Sequence, residues 1–211
     1  MDNLLNPDSM FMRAMSRVGD LLLLNFFFLL TCVPIVTIGA ACTALYTVCF
    51  RFETERETYV IRSYFRAFRE NWKRATAIWL ILLVCGATAC VNAYLFYCMG
   101  GALRYAALFF PILLALVLLA GSYAFPLLSQ FENSVLATLK NALALSLGYL
   151  PRSILMTALN IFPFAVLLTN TLLFFQTAFL WAIIYFSAAA YLNTILLKKA
   201  LRPFLNREEE S

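Results

Sequence analysis

The side chains in this sequence that could do chemistry are uncharged amides and hydroxyls within long apolar stretches. They are Asn25, Thr37, Thr43, Thr88, Asn92, Ser122, Asn160, Gln176 and Asn193. Residues of this kind usually form hydrogen bonds between membrane helices. Asn160 lies close to Pro163. Thr37 lies between Pro34 and Gly39. These are the two places where a backbone carbonyl freed by proline could meet a ligand.

Acid–base and metal chemistry lack their usual residues. The chain contains no histidine, which is the commonest general base and the commonest metal ligand. Its six cysteines, at positions 32, 42, 49, 85, 90 and 98, include no C-x-x-C pair. No Asp, Glu, Lys or Arg lies inside a predicted span, which argues against proton-coupled transport. No catalytic sequence motif is present, so we expect neither an enzyme nor a bound cofactor or metal.

The segment from Val33 to Tyr46 combines a helix-breaking proline with a run of small residues. Two interpretations are open: a kinked anchor helix with a close-packing face, or a broken helix that lines a polar pocket. The candidate pocket residues are Pro34, Thr37, Gly39, Ala40, Ala44 and Tyr46, together with the distant Asn160.

The elements that must position these residues are membrane helices. Of the 211 residues, 63% are hydrophobic and 13% are charged, and the mean hydropathy is +0.82. A soluble domain has about a quarter of its residues charged. The composition therefore predicts an all-α polytopic membrane helix bundle, with about five transmembrane helices and additional amphipathic interfacial helices.

Charge-free stretches give the expected boundaries within a single membrane domain. We expect spans over roughly 21–50, 75–99, 105–128, 153–169 and 172–197, and interfacial helices over roughly 9–20, 59–74 and 133–150. Gly100, Gly101 and Arg104 form the expected tip of a hairpin, and a turn is expected near Asn170. For residues 21–50 a single kinked span is favoured, and a re-entrant segment or a hairpin is the alternative.

Residues 59–74 have an aromatic face and a basic face at helical spacing. The first contains Ile61, Tyr64, Phe65, Phe68 and Trp72, and the second contains Arg62, Arg66, Arg69 and Lys73. This pattern predicts a helix that lies in the plane of the membrane on anionic lipid. A docking surface for a partner protein is the alternative. Nucleic acid is not an expected partner beside a membrane span.

The distribution of positive charge predicts the topology. Residues 51–74, residues 129–152 and the C-terminal tail carry thirteen of the sixteen Lys and Arg residues. Loops rich in these residues stay in the cytoplasm. We therefore expect the 51–74 loop and the C-terminus on the cytoplasmic side, with Glu53, Glu55 and Glu57 in a solvated part of that loop.

A shift of 79 positions reveals a faint internal similarity. Residues 51–53 then align with 130–132, and residues 72–73 with 151–152. The order of elements suggests a duplicated unit of span, surface helix and span.

Several motifs resemble the YesL family of bacterial integral membrane proteins, a domain of unknown function. They are Pro34-x-x-Thr37-x-Gly39-Ala40-x-x-x-Ala44-Leu45-Tyr46, Tyr64-Phe65-Arg66-Ala67-Phe68 with Asn71-Trp72, Phe125-Pro126-Leu127, and Asn133 with Lys140-Asn141-Ala142-Leu143. The resemblance implies a bacterial cell-membrane protein with an accessory role in carbohydrate uptake or its regulation. It defines no catalytic residues.

Two functions follow as hypotheses. The first is a non-enzymatic accessory protein that binds a partner, such as the permease of an ABC-type sugar importer. The second is a small oligomeric channel or facilitator for a neutral solute, formed by self-association around residues 34–46.

Overall fold

The computed structural model describes the backbone of residues 10–52, 59–99, 101, 105 and 107–209, and the side chains of residues 15–52, 59–99, 101, 105 and 107–198. All regular structure in these ranges is helical, which confirms the predicted all-α fold class. Five of the described helices are long and apolar enough to cross a membrane. The expected acidic loop with Glu53, Glu55 and Glu57 and the hairpin-tip residues Gly100 and Arg104 lie outside the described residues.

The helices follow one another with short connections. They are α1 (Met10–Cys32), α2 (Ile38–Arg51), α3 (Val60–Met99), α4 (Phe109–Gln130), α5 (Val135–Gly148), α6 (Leu150–Thr169) and α7 (Thr171–Gln176). The last helix, α8, consists of Ala178–Leu180, a π-helical turn at Trp181–Tyr185, and Phe186–Glu209. A 3-10 turn at Ile35–Thr37 precedes α2.

The first apolar block, residues 21–50, forms a helical hairpin. The guanidinium of Arg17 near the start of α1 lies 4.9 Å from the centre of the Phe52 ring, just after α2. One continuous helix would separate these residues by about 50 Å. The favoured single kinked span is therefore wrong, and the hairpin alternative is correct, because the chain reverses direction at the proline.

Two of the interfacial helices expected from the sequence are parts of longer helices. Residues 60–74 and 75–99 form the single 40-residue helix α3. Residues 10–20 likewise continue directly into the apolar part of α1. Neither junction contains proline, and α1 continues through Gly19, so the helices are not interrupted where the composition changes from charged to apolar.

Capping residues define the helix boundaries in the second half of the chain. The Ser134 hydroxyl accepts a hydrogen bond from the backbone N–H of Ala137, at the start of α5. The side chain of Asn170 accepts one from the N–H of Leu173 and separates α6 from α7, as the sequence predicts. The α5 helix, Val135–Gly148, has nearly the bounds expected for the interfacial helix over 133–150.

The core is built around α2, which packs against α3, α4 and α8. Its small residues Ala40, Ala41 and Ala44 and the larger Val48 are fully buried, and Leu45 is nearly so. Small side chains allow the neighbouring helices to approach closely.

The second half of α3 and the first half of α4 form what we call the two-helix arm, residues 80–99 and 109–119. Ala89 is the one buried residue among these positions, all of which the structure describes. The two helices pack mainly on each other, as shown by the 5.4 Å between the ring centres of Phe96 and Phe110.

Candidate functional site

The turn between α1 and α2 is held by hydrogen bonds from Thr37. Its hydroxyl donates to the carbonyls of Thr31 (2.6 Å) and Pro34 (2.8 Å). The indole N–H of Trp79 in α3 donates to the carbonyl of Ile35 at 2.8 Å. The carbonyls of Thr31, Pro34 and Ile35 are thus bound by the protein's own side chains, and this place in the sequence is a structural turn.

Gly39 marks the closest approach of α2 to α3. A Cβ atom at this position would clash with the carbonyl oxygen of Ala75 and lie 2.7 Å from the Cβ of Trp79. Ala40 and Ala44 are fully buried on the same helix. The predicted candidates Gly39, Ala40 and Ala44 therefore form a helix-packing face.

Tyr46 and Asn160, which are far apart in the sequence, meet through Asn193. The Nδ2 of Asn193 in α8 donates to the Tyr46 hydroxyl of α2 (3.1 Å) and to Oδ1 of Asn160 in α6 (2.9 Å). The Nδ2 of Asn160 donates to the hydroxyl of Ser122 in α4 at 3.3 Å, and that hydroxyl lies 3.0 Å from the Thr157 hydroxyl. We call these five residues the polar network.

The polar network is uncharged, and three of its members, Tyr46, Ser122 and Asn193, are buried, whereas Thr157 and Asn160 are partly buried. Asn193 is inaccessible to solvent, and its Oδ1 has no hydrogen-bond partner. The Tyr46 hydroxyl accepts the hydrogen bond from Asn193 and keeps its own hydrogen to donate.

A second set of hydroxyls lies next to the polar network. The Ser153 hydroxyl is 3.0 Å from the Tyr123 hydroxyl and donates to the carbonyl of Ser146 at 2.7 Å. Ser153, Thr157 and Tyr123 are not among the residues predicted from the sequence. The signal for the first two is the spacing of 153, 157 and 160, which places three polar side chains on one face of α6.

The π-helical turn in α8 is bound by Asn25 of α1. The Asn25 Nδ2 donates to the carbonyls of Trp181 (3.3 Å) and Ala182 (2.6 Å), and its Oδ1 accepts from the N–H of Ser187 at 3.1 Å. The Ser187 hydroxyl donates to the carbonyl of Leu21 at 2.8 Å. A π-helical turn leaves some backbone groups without their usual helical partners, and these side chains satisfy them.

The aromatic face predicted for residues 59–74 is only partly covered by the rest of the protein, because Ile61, Phe65 and Trp72 remain exposed. Tyr64 is fully buried, and its hydroxyl lies 2.6 Å from that of Thr31 in α1. Phe65 contacts Phe27 edge to face at 5.4 Å. Phe68 is partly buried, whereas Trp72 is about half exposed.

The basic residues of the same helix point away from α1 and α2. Arg62, Arg66, Arg69 and Lys73 are all exposed, and we call them the basic face. Arg66 forms an exposed ion pair with Glu70 at 2.9 Å. Whether this face binds lipid or a partner protein stays a prediction.

One cavity lies where the two-helix arm ends. It has a volume of 780 Å³, and its walls include Tyr94, Tyr97, Tyr105 and Pro111. These residues do not meet any member of the polar network. Among the described residues, no group of His, Cys, Asp or Glu side chains is arranged to hold a metal ion.

Comparison with known proteins gives one family. Residues 21–93 match the family model described as "Protein of unknown function, DUF624". The match covers less than half of the 211-residue chain and contains α2 with most of α1 and α3. Over these residues the chain is similar to the DUF624 family. No curated protein and no solved structure matches this chain.

Proposed function

We propose that the protein is a non-enzymatic accessory membrane protein that binds a partner involved in carbohydrate uptake or its regulation. The observation that carries the proposal is the basic face of α3, which is exposed while the opposite side of the helix is buried against α1 and α2. This arrangement presents a charged surface on a fixed helix, as a docking protein requires. The link to carbohydrate comes from the resemblance to the YesL family.

The partner that this resemblance implies is the permease of an ABC-type sugar importer in the bacterial cell membrane. The charge distribution supports a cytoplasmic location for residues 51–74 and for the C-terminus.

The test is co-purification from native membranes in a detergent-free polymer disc. We expect a tagged chain to recover an importer permease in a fixed ratio, whereas an unrelated membrane protein with the same tag does not. Recovery of the chain alone, or only with copies of itself, would contradict the accessory role.

A neutral-solute facilitator is the second candidate, and the polar network favours it. Its unpaired Asn193 Oδ1 is a buried acceptor among uncharged groups from four helices, which is the chemistry that would bind an uncharged hydroxyl-bearing solute. Vesicles that contain only this protein should then take up such solutes, and Asn193→Ala should slow uptake. If none of the sugars and polyols tested enters these vesicles faster than it enters protein-free vesicles, this function is contradicted.

A further inference from the structure

The basic face forms a straight line of positive charge. Positions 62, 66, 69 and 73 are spaced by four, three and four residues, so their side chains follow one side of the helix for about 16 Å. Residues 60–74 contain five cations, namely these four and Arg74, and one carboxylate, Glu70, which gives a net charge of +4.

The side of α3 opposite the basic face is packed against the rest of the protein. Tyr64 and Ala67 are buried on the opposite side, and the Tyr64 hydroxyl is hydrogen-bonded to Thr31. A binding partner would therefore meet side chains whose backbone is already ordered, which lowers the entropy cost of binding.

The continuity of α3 decides in which direction the basic face points. The helix runs without interruption from Val60 to Met99, and its last charged residue is Arg74. The apolar stretch 75–99 is about 37 Å long, enough to cross a hydrocarbon core of about 30 Å. Residues 60–74 then extend about 20 Å beyond the membrane along the same axis. A helix that lies flat on the headgroups would need a break near Arg74, and the α-helix is uninterrupted there.

We infer that the basic face binds an acidic surface of a partner protein rather than the headgroups of anionic lipids. This inference rests on the proposed function, because it specifies the surface through which the partner docks. Charge complementarity requires Asp or Glu side chains spread over about 16 Å of that partner. Arg66 can take part because its exposed ion pair with Glu70 contributes little and exchanges readily. The half-exposed Trp72 beside it supplies the kind of apolar contact that anchors many interfaces.

The experiment places a photo-crosslinking amino acid at position 69 of the full chain in native membranes, and identifies each crosslinked product by mass spectrometry. The control carries the same amino acid at position 140, where Lys140 is exposed on α5. We expect a crosslink from position 69 to an Asp/Glu-rich segment of a protein, with a yield at least tenfold higher than from position 140.

Charge reversal completes the test. Arg62→Glu with Arg66→Glu should reduce the crosslink at least tenfold, and Lys substitutions in the acidic segment of the partner should restore it. Both positions are exposed, so thermal unfolding should be unchanged and will show that the variant folds. Crosslinks to lipid alone, or a yield that charge reversal does not alter, would overturn the inference.

Different results would overturn the docking surface and the accessory function. If the importer permease co-purifies equally well with the charge-reversed chain, the docking surface is wrong and the accessory function stands. If no partner co-purifies with the natural chain, both are overturned.

Discussion

At the scale of single residues, buried hydrogen-bonding and small side chains fix how the helices fit together. Asn25 joins α1 to the π-helical turn of α8, and Asn193 joins α2, α6 and α8. Gly39 permits the contact between α2 and α3. Such residues act through their size and their hydrogen-bonding groups, so their effects can be tested one at a time.

Gly39→Ala should destabilise the protein by about 1–3 kcal/mol, because the added methyl group overlaps the Ala75 carbonyl and the Trp79 side chain. The measurement is the free energy of unfolding in detergent. Gly19→Ala is the matched control, since nothing lies within 4 Å of its added methyl. Equal stability of the two variants would show that α2 and α3 are not in such close contact.

Asn25→Ala should also cost about 1–3 kcal/mol, because it leaves the Ala182 carbonyl and the Ser187 N–H without their partner in a buried site. Asn92→Ala is the control, since the Asn92 side chain donates to the carbonyl of Thr88 in its own helix. The midpoint of thermal unfolding should fall clearly for the first variant and little for the second. The reverse order would contradict the role of Asn25.

At the scale of elements, the important features are the α1–α2 hairpin and the uninterrupted α3. Proline at position 34 predicts a break, and the structure places a complete reversal there. The helices α2 and α4 end at Arg51 and Gln130, the two positions that the shift of 79 residues aligns. The order of elements then differs between the two halves, because residues 60–74 are continuous with the rest of α3 whereas α5 and α6 are separate helices.

The α1–α2 hairpin predicts that its two ends lie on the same side of the membrane. A tag placed before Met10 and a tag inserted between residues 52 and 59 should be reached from the same side of the membrane, because α1 and α2 return the chain to where it started. Labelling with a membrane-impermeant reagent in intact and in opened cells measures this. Labelling of the two tags from opposite sides would mean that residues 21–50 cross the membrane once.

At the scale of the whole molecule, the polar network connects four helices, α2, α4, α6 and α8, by side-chain hydrogen bonds. The contact between Asn160 and Asn193 connects α6 to α8, and each residue has a further partner in another helix. Hydrogen bonds between membrane helices contribute about 0.6–1.7 kcal/mol each, so the network stabilises one arrangement of the bundle.

A double-mutant cycle measures this contribution. Asn160→Ala and Asn193→Ala should each lower stability, and the double variant should lose about 0.6–1.5 kcal/mol less than the sum, because the bond they share is lost once. Thr88→Ala with Asn92→Ala is the control cycle: Asn92 donates to the backbone carbonyl of Thr88, which alanine keeps, so these two changes should be additive. Strict additivity for the first pair would mean that the two amides do not interact.

The candidate site was predicted in part. The sequence identified Tyr46 and Asn160, which do meet, and the exposed cations of the basic face. It grouped Pro34 and Thr37 with them, although these residues form a separate turn. Residues 153, 157 and 160 share a face of one helix in any straight α-helix, but the partners of that face come from other helices and leave no pattern in the local sequence.

The sequence by itself determined that this is an all-α membrane protein, that the chain breaks near Pro34 and Asn170, and that cations line one side of residues 60–74. These properties depend on composition and on spacings of three to four residues. Only the tertiary structure decided that α1 and α2 form a hairpin, that residues 60–74 continue into the following span, and that Asn193 joins Tyr46 to Asn160. The physical reason is that these outcomes depend on contacts between helices, where long-range packing and hydrogen bonds outweigh local preference.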